Sequence, residues 1–347
     1  MNSTQRKLFW AAAGITSIAL TRLLTHKERR FNIDQKVCLV TGGSRGLGLE
    51  ISRLLVKEGA RLAICARDKS ELKSAKKDLD ELGASYGSEG VYAIPCDITN
   101  PEQVTNMFRL IRKRFGAVEV LINNAGVIQI APAEEMEMQE YEEAMNLHFW
   151  APLRLMEAVL PEMRKKKEGR IVNIASLAGK VIVPHLAPYT ASKHALVGLS
   201  ESLHAEMQKY NIYITTVCPG LMRTGSVRQM IHKGQHEKEH ALAEVVSSQP
   251  LTPMNAKRAA EAIVTACKHG ETSLIIPLQA KVLTAANGIF PGLFADAMGL
   301  LNRFLPAPGG IGNEWVRGYE SETDLVPAIL KSVNEKAARR NNEYNQE

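Results

Sequence analysis

Thr41-Gly42-Gly43-Ser44-Arg45-Gly46-Leu47-Gly48 comes directly after the apolar run Val37–Val40 and leads into a stretch of helical periodicity, Leu47–Glu58. A glycine-rich turn between a buried strand and a helix has a physical use. Without Cβ atoms the backbone N–H groups can approach an anion closely, and the helix N-terminus behind them carries partial positive charge. The turn reads as a cradle for a pyrophosphate at the first strand of an α/β sheet. Its spacing, Gly-x-x-x-Gly-x-Gly, departs from the Gly-x-Gly-x-x-Gly of ordinary dinucleotide folds, so the turn alone does not name a ligand.

Outward from this turn, short β-branched runs alternate with helical stretches. Strands are expected at Val37–Val40, Arg61–Cys65, Val91–Ile94, Val118–Ile122, Arg170–Ile174, Ile212–Val217 and Ser273–Ile276. Helices are expected at Leu47–Glu58, Lys69–Leu82, Glu102–Phe115, Leu147–Lys165 and Pro188–Tyr210. Continuous apolar strands separated by helices predict a Rossmann-like α/β domain, a doubly wound parallel sheet of about seven strands with helices on both faces. That domain is placed at residues 34–277, after an apolar and basic segment at 1–33 and before an extension at 278–347. Within the extension, Lys281–Pro306 reads KVLTAANGIFPGLFADAMGLLNRFLP, apolar but broken by Pro291-Gly292. Ordinary packing is the first expectation for it and contact with a membrane interface the next; capping of the substrate cleft and contact with a partner subunit in a homo-oligomer stay open. The final fifteen residues are polar and expected to be frayed.

The 347 residues are 45% hydrophobic and 23% charged, close to the globular average, which excludes collagen-like, low-complexity and disulfide-scaffold chains. Five of the six net positive charges lie in residues 1–36, where Arg6, Lys7, Arg22, Lys27, Arg29, Arg30 and Lys36 face only Glu28 and Asp34. Basicity confined to one end, with aromatics at only 5%, argues against a nucleic-acid partner, which calls for Lys/Arg spread over a folded face with stacking platforms. The five cysteines include no C-x-x-C, and Cys38, Cys65, Cys96 and Cys218 sit in or beside apolar runs. They read as buried thiols in a reducing compartment. No spacing suggests a metal site.

Leu8–Thr21 reads LFWAAAGITSIALT, fourteen uncharged residues between Arg6-Lys7 and Arg22. As a helix it reaches about 21 Å, short of the ~30 Å hydrocarbon core; Leu23 and Leu24 lengthen it if Arg22 snorkels. Three readings stand: an uncleaved membrane anchor over residues 8–24, a peripheral or self-packed helix, and a signal peptide. Ala11-Ala12-Ala13 lies at the start of the apolar stretch and not after it, where a cleavage site belongs, and the anchor is the first expectation. The basic cluster that follows would keep the catalytic domain on the cytoplasmic side.

Two further places carry chemistry. The second strand ends in Cys65-Ala66-Arg67-Asp68, at the position that normally faces the adenosine ribose. Arg67 with Arg45 suits the 2′-phosphate of NADP(H) rather than NAD(H), while Asp68 is the residue that would suit NAD(H) instead. In Tyr189-Thr190-Ala191-Ser192-Lys193, at a helix start, Tyr189 and Lys193 share one face. Ser176, thirteen residues upstream, lies past a strand's carboxyl end, where doubly wound sheets bind ligands.

Together, Thr41-Gly42-x-x-x-Gly46-x-Gly48, Asn123-Asn124-Ala125-Gly126, Ser176, Tyr189-x-x-x-Lys193 and Cys218-Pro219-Gly220 with Thr224 resemble the short-chain dehydrogenase/reductase family over about residues 34–277. The resemblance implies a nicotinamide cofactor and hydride transfer between a carbonyl and an alcohol. It implies that Gly42, Ser44, Arg45, Gly46, Leu47 and Gly48 form the cofactor turn and that Asp97 meets the adenine. Asn124, Ala125 and Gly126 would form the wall beside it, and Pro219, Gly220 and Thr224 would hold the nicotinamide. Tyr189 then serves as acid/base, Ser176 fixes the substrate oxygen, and Lys193 supplies positive charge and a ribose contact. One departure concerns the asparagine that many members carry in the preceding helix to hold a relay water. Here either Asn146 or His148 takes that place, and two helix positions differ by ~200°, so only one faces the site. His148 is preferred, either as a proton-exchanging residue or as a structural replacement.

His185 is a candidate border of the substrate, and Met222–Pro250 a candidate lid. Met222, Met230, Leu251 and the apolar tail from Val282 lean toward a lipophilic carbonyl or alcohol substrate. Two other functions stay open: a nucleotide-sensing or scaffold protein that keeps the fold, and an isomerase or dehydratase that regenerates its cofactor internally.

Overall fold

The structure is a computed structural model, and it describes residues 29–86, 90–249 and 253–344. The first half of the chain contributes β1 (Val37–Thr41), α1 (Gly46–Lys57), β2 (Arg61–Ala66), α2 (Lys69–Ala84), β3 (Tyr92–Pro95), α3 (Pro101–Phe115), β4 (Val120–Asn123), β5 (Gln129–Ile130) and α4 (Met138–Met145). A π-helical turn at Asn146–Trp150 runs into α5 (Ala151–Lys166), and β6 (Gly169–Ile174), α6 (Ala187–Met207), β7 (Ile212–Pro219), β8 (Met222–Arg223) and β9 (Ile231–His232) follow. The remainder is α7 (His236–Ser248), β10 (Met254–Asn255), α8 (Ala256–His269), β11 (Ser273–Ile276), α9 (Leu278–Ile289), α10 (Pro291–Asn302), β12 (Val316–Arg317) and α11 (Ala328–Arg340).

Seven strands form one sheet in the order β11-β7-β6-β4-β1-β2-β3, and every pairing in it is parallel. The expected doubly wound, Rossmann-like architecture is therefore present. Alternation along β1 shows why its sequence is apolar throughout. Cys38 and Val40 point into a core shared with α1 and α8, while Val37 and Leu39 point into a second core shared with α3 and α5. A strand buried on both faces cannot carry polar side chains at alternate positions.

Local chemistry sets the helix starts. The Asp68 carboxylate accepts the N–H groups of Ser70 and Glu71 at the head of α2, and Asn100 does the same for Glu102 and Gln103 at the head of α3. Helix α6 buries Tyr189, Ser192, Lys193, Leu196, Val197, Ser200 and His204 along one face, at spacings of three and four residues. A buried polar chain fixes this helix to the sheet: Asn123 donates to Asn173 at 2.7 Å, and Asn173 donates to Ser200 Oγ at 2.8 Å.

Three expectations need correction. The Lys281–Pro306 stretch forms α9 and α10, but Ala280 is the one buried residue in α9 and α10 buries none. Ordinary packing therefore fails, because two short apolar helices joined at Phe290-Pro291 leave most of their side chains exposed. Residues 333–344 are not frayed: α11 runs to Arg340, and Asn341 and Glu343 are buried. Finally, the helix expected from Leu147 to Lys165 begins as a π-turn. Among the described residues no helix is long and apolar enough to cross a membrane. The anchor expected at residues 8–24 lies outside the described residues.

The extension wraps the domain. β12 pairs antiparallel with β9, and β9 pairs with β5. Glu140 in α4 accepts from Lys233 at 2.6 Å and from Trp315 Nε1 at 3.0 Å. Further on, Asn334 in α11 donates to Ser247 and Ser248 at the end of α7.

Candidate active site

A parallel sheet brings all its carboxyl ends to one edge, and the glycine turn after β1 sits there. Gly42 and Gly46 have φ of +64° and +57°, values that strain any residue with a Cβ. At Gly48 the limit is space: a Cβ would lie 2.1 Å from the Gly42 carbonyl oxygen. The loop after β4 braces the turn. Thr41 Oγ1 accepts the N–H groups of Asn124 and Ala125 at 3.0 and 3.1 Å, and the Asn124 amide donates to the carbonyls of Thr41 and Gly42. The Asn124 side chain, expected in a wall beside adenine, is thus engaged in holding the turn.

At the end of β2, Arg67 is exposed. Asp68 is committed to capping α2, and the N–H of Glu71 is the main cause that holds its carboxyl below the usual range. Arg45 lies between two carboxylates, Glu71 at 3.6 Å and Glu343 at 3.4 Å, and its buried Nη1 makes no hydrogen bond among the described residues. Ser44 donates to Glu71 at 3.0 Å. After β3, Asp97 Oδ1 accepts from the backbone and hydroxyl of Thr99. After β7, Gly220 donates to Ile276, and buried Thr224 bonds Ser226. A dinucleotide fits these residues: Gly42, Gly46 and Gly48 carry no Cβ at the helix N-terminus, a buried guanidinium nitrogen lacks a hydrogen bond among the described residues, and the carboxylate at the end of β2 is already used.

Gly126 joins this crevice to the reactive side chains. A Cβ there would lie 3.2 Å from His148 Nε2 and 3.6 Å from Lys193 Nζ. The Lys193 ammonium donates to the Ile174 carbonyl at 2.9 Å and lies 5.6 Å from the centre of the Tyr189 ring. Tyr189 lies near enough to Ser176 for that hydroxyl to favour the phenolate, and Ser176 Oγ accepts the N–H of Ala178 at 3.1 Å. Burial dominates both titrations. It pushes the Tyr189 phenol up to about 12, against a smaller opposing effect of Ser176, and it lowers the Lys193 ammonium to about 8.

His148 has both nitrogens engaged. Ser192 Oγ donates to the Tyr189 carbonyl at 2.9 Å, so it accepts from His148 Nδ1 at 2.9 Å. His148 Nε2 then accepts the Val127 N–H at 3.2 Å. Burial, helped by the charge on Lys193, holds the imidazole neutral well below its ordinary pKa. With its ring edge-on to Tyr189 at 5.3 Å, His148 positions the tyrosine turn and has no nitrogen free to exchange protons. Asn146 instead accepts from Arg154, so of the two candidates it is His148 that faces the site.

Residues 36–235 match the family model described as short chain dehydrogenase. The chain belongs to the short-chain dehydrogenase/reductase family. The dehydrogenase is 35% identical over 219 residues to dehydrogenase/reductase SDR family member 7B of Danio rerio, covering 62% of this chain and 70% of that one. It is 30% identical over 196 residues to D-beta-hydroxybutyrate dehydrogenase of Rhizobium meliloti, covering 56% and 75%. The crystal structure of a short-chain dehydrogenase from Streptomyces avermitilis superposes with a TM-score of 0.63 at 28% identity, covering 78% of this chain and 98% of that one. The enzyme is therefore a nicotinamide-dependent oxidoreductase acting on CH–OH or C=O groups.

Around the dehydrogenase's site, His185 sits at φ +62° and its Nδ1 lies 2.6 Å from Glu239 in α7. This pair pins the loop before Tyr189 to the helix expected as a lid. Met222 packs on the main core and Met230 is buried, while Leu251 lies outside the described residues. Ser192 was not singled out in the sequence, although it stands three residues after Tyr189 on the same helical face.

The lowered Lys193 pKa has a thermodynamic consequence. Between pH 8 and 10 the unfolded chain, with an ordinary lysine, binds more protons at this residue than the folded one, so stability gains with pH in that window. Lys193→Met is expected to remove that gain. Denaturant titrations at pH 8, 9 and 10 check it, and equal pH slopes for variant and wild type would refute the buried amine.

Proposed function

We propose that the dehydrogenase is an NADP(H)-dependent reductase or alcohol dehydrogenase for lipophilic substrates, working at a membrane surface, with Tyr189 as its acid/base. The observation that carries this reading is the cluster of buried Tyr189 and Lys193 with half-buried Ser176 beside Gly126, one loop away from the glycine turn. Bound in the crevice, the nicotinamide would supply or accept the hydride, which no side chain here can do.

The chain's own residues handle the proton and the charge. As hydride reaches a carbonyl carbon, negative charge grows on the oxygen. Tyr189, kept neutral by burial, holds the proton that this oxygen needs, so the site is set for carbonyl reduction. Ser176 orients the substrate oxygen by a hydrogen bond, and Lys193 holds positive charge nearby. His148 keeps the tyrosine turn in place through Ser192.

Preference for NADP(H) is supported by the commitment of Asp68 to its helix cap, which leaves Arg67 and Arg45 as the charged groups offered to a ribose substituent. A lipophilic substrate is supported by the rim of the cleft. Asn287 in α9 donates to the Lys180 carbonyl, and Ala280 Cβ lies near Gly220, so α9 borders both catalytic loops. Near those loops and along α9, Ile182, Leu221, Leu278, Val282 and Leu283 are exposed, as are Leu293 and Leu300 in α10 and Phe304 just past it. Lys281 and Arg303 bracket this apolar stretch in the sequence, and basic residues suit an anionic bilayer surface. Together with the apolar stretch at residues 8–24, it supports membrane association with the catalytic domain on the cytoplasmic side.

Tyr189→Phe is expected to lower kcat at least about 100-fold with the NADPH Kd nearly unchanged; full activity in that variant would overturn the acid/base role. Arg67→Ala should weaken NADPH by roughly 10-fold or more, as expected for a charge-assisted hydrogen bond, and leave NADH nearly unaffected. Equal losses for the two dinucleotides would remove the 2′-phosphate argument. Serine at positions 293, 300 and 304 together is expected to lower co-sedimentation of the full chain with phosphatidylglycerol-containing vesicles several-fold; unchanged binding would clear α10 of any membrane role.

A further inference from the structure

The segment after α11 lies across the crevice that the cofactor reading requires. The Asn341 carbonyl accepts the Gly46 N–H at 2.9 Å, and the Asn341 side chain donates to the Thr224 carbonyl at 3.0 Å. One residue thereby ties the glycine turn to the loop after β7. Asn342 donates to the carbonyls of Ser44 and Glu71 at 2.9 and 3.2 Å. The Glu343 carboxylate rests on the turn: its Oε1 lies 2.7 Å from where a Gly46 Cβ would stand, and its Oε2 lies 3.4 Å from Arg45 Nη1. Helix α1 has no acidic residue in its own first turn and no side-chain cap. Glu343 brings a negative charge to that N-terminus from nearly three hundred residues away.

These are the groups on which a dinucleotide's phosphates depend: an unshielded N–H at a helix start and the guanidinium beside it. A carboxylate and a phosphate cannot hold them together. We propose that Asn341-Asn342-Glu343 is an internal competitor for the cofactor, docked in the phosphate cradle and expelled from it when the dinucleotide binds. The proposal rests on the reading of the glycine turn as that cradle.

The contact is built poorly enough to be displaced. Arg45 Nη1, Glu343 Oε2 and Asn341 Oδ1 are all buried, yet none of these atoms makes a hydrogen bond among the described residues. Burying polar atoms without hydrogen bonds is costly, and here burial pushes the Glu343 carboxyl up to about 7, with Arg45 opposing the shift and Glu71 adding to it. Elsewhere the same extension is well satisfied, as at Trp315–Glu140 and Asn334–Ser248. The strain is concentrated where an anionic ligand would relieve it.

The test uses the full chain and three altered forms: Glu343→Gln, which keeps the shape and removes the charge, Asn341→Ala, and a chain ending at Arg340. Dissociation constants for NADPH and NADH are measured by nicotinamide fluorescence. Each altered form is expected to bind NADPH at least about 5-fold more tightly than the wild type, on the logic that a competing docked state taxes apparent affinity. In the wild type, NADPH should accelerate tryptic cleavage after Arg339 and Arg340 and amide exchange at residues 341–344. Unchanged or weaker NADPH binding in all three forms, or protection of residues 341–344 by NADPH, would overturn the proposal and make the segment a strap that closes over the ligand. If no form binds either dinucleotide, the cradle reading itself falls and the competitor with it.

Discussion

The site depends on the hydrogen bonds that close the gap between β1 and β4. In a parallel sheet the loops leaving neighbouring strands diverge to opposite faces, and a crevice opens where they part. Thr41 Oγ1, accepting two N–H groups from the β4 loop, and the Asn124 amide, donating to two carbonyls of the glycine turn, hold that crevice at fixed width. Gly126 follows immediately and stands beside His148 and Lys193. The phosphate-binding turn and the proton-handling side chains are in register because one short loop touches both.

Burial then sets the protonation of the reactive groups. Tyr189 and Lys193 are neighbours on one face of α6, and on spacing alone the ammonium should make the phenol more acidic. In the structure burial is the largest cause for both residues, and neither is shifted by the other: the phenol is held neutral and the amine is brought toward neutrality. Within the free protein this is the state of a proton donor. The buried imidazole of His148 follows the same rule, since a second cation near Lys193 would be costly.

The strands could be read from the sequence because the inner ones, β1, β2, β4, β6 and β7, are mostly apolar runs buried on both faces, and the edge strands β3 and β11 are short apolar runs between helical stretches. Tyr189, Lys193 and Ser176 were legible for a related reason, helical spacing and a strand end. The helix Ala256–His269 was also within reach, for Ala256, Ala259, Ala260, Ile263, Val264 and Cys267 form its buried stripe. What could not be read are contacts made by polar groups across long separations. The engagement of His148 depends on Ser192, forty-four residues away. The docking of Asn341 and Asn342 runs through backbone carbonyls, and nothing in a polar Asn-Asn-Glu run marks it for burial. The failure of α10 to pack was hidden as well, because an apolar stripe reads alike whether its partner is protein or something else.

The three-stranded patch β5-β9-β12 has a consequence for traffic. Its middle strand belongs to the segment that the proposed function makes a lid, and it is stitched by backbone hydrogen bonds to the body on one side and to the extension on the other. Such a cover is a fixed roof and not a swinging door, since lifting it would break two ladders at once. Under the proposed function, substrate would then come and go sideways, beneath α9, past the exposed Leu278, Val282 and Leu283.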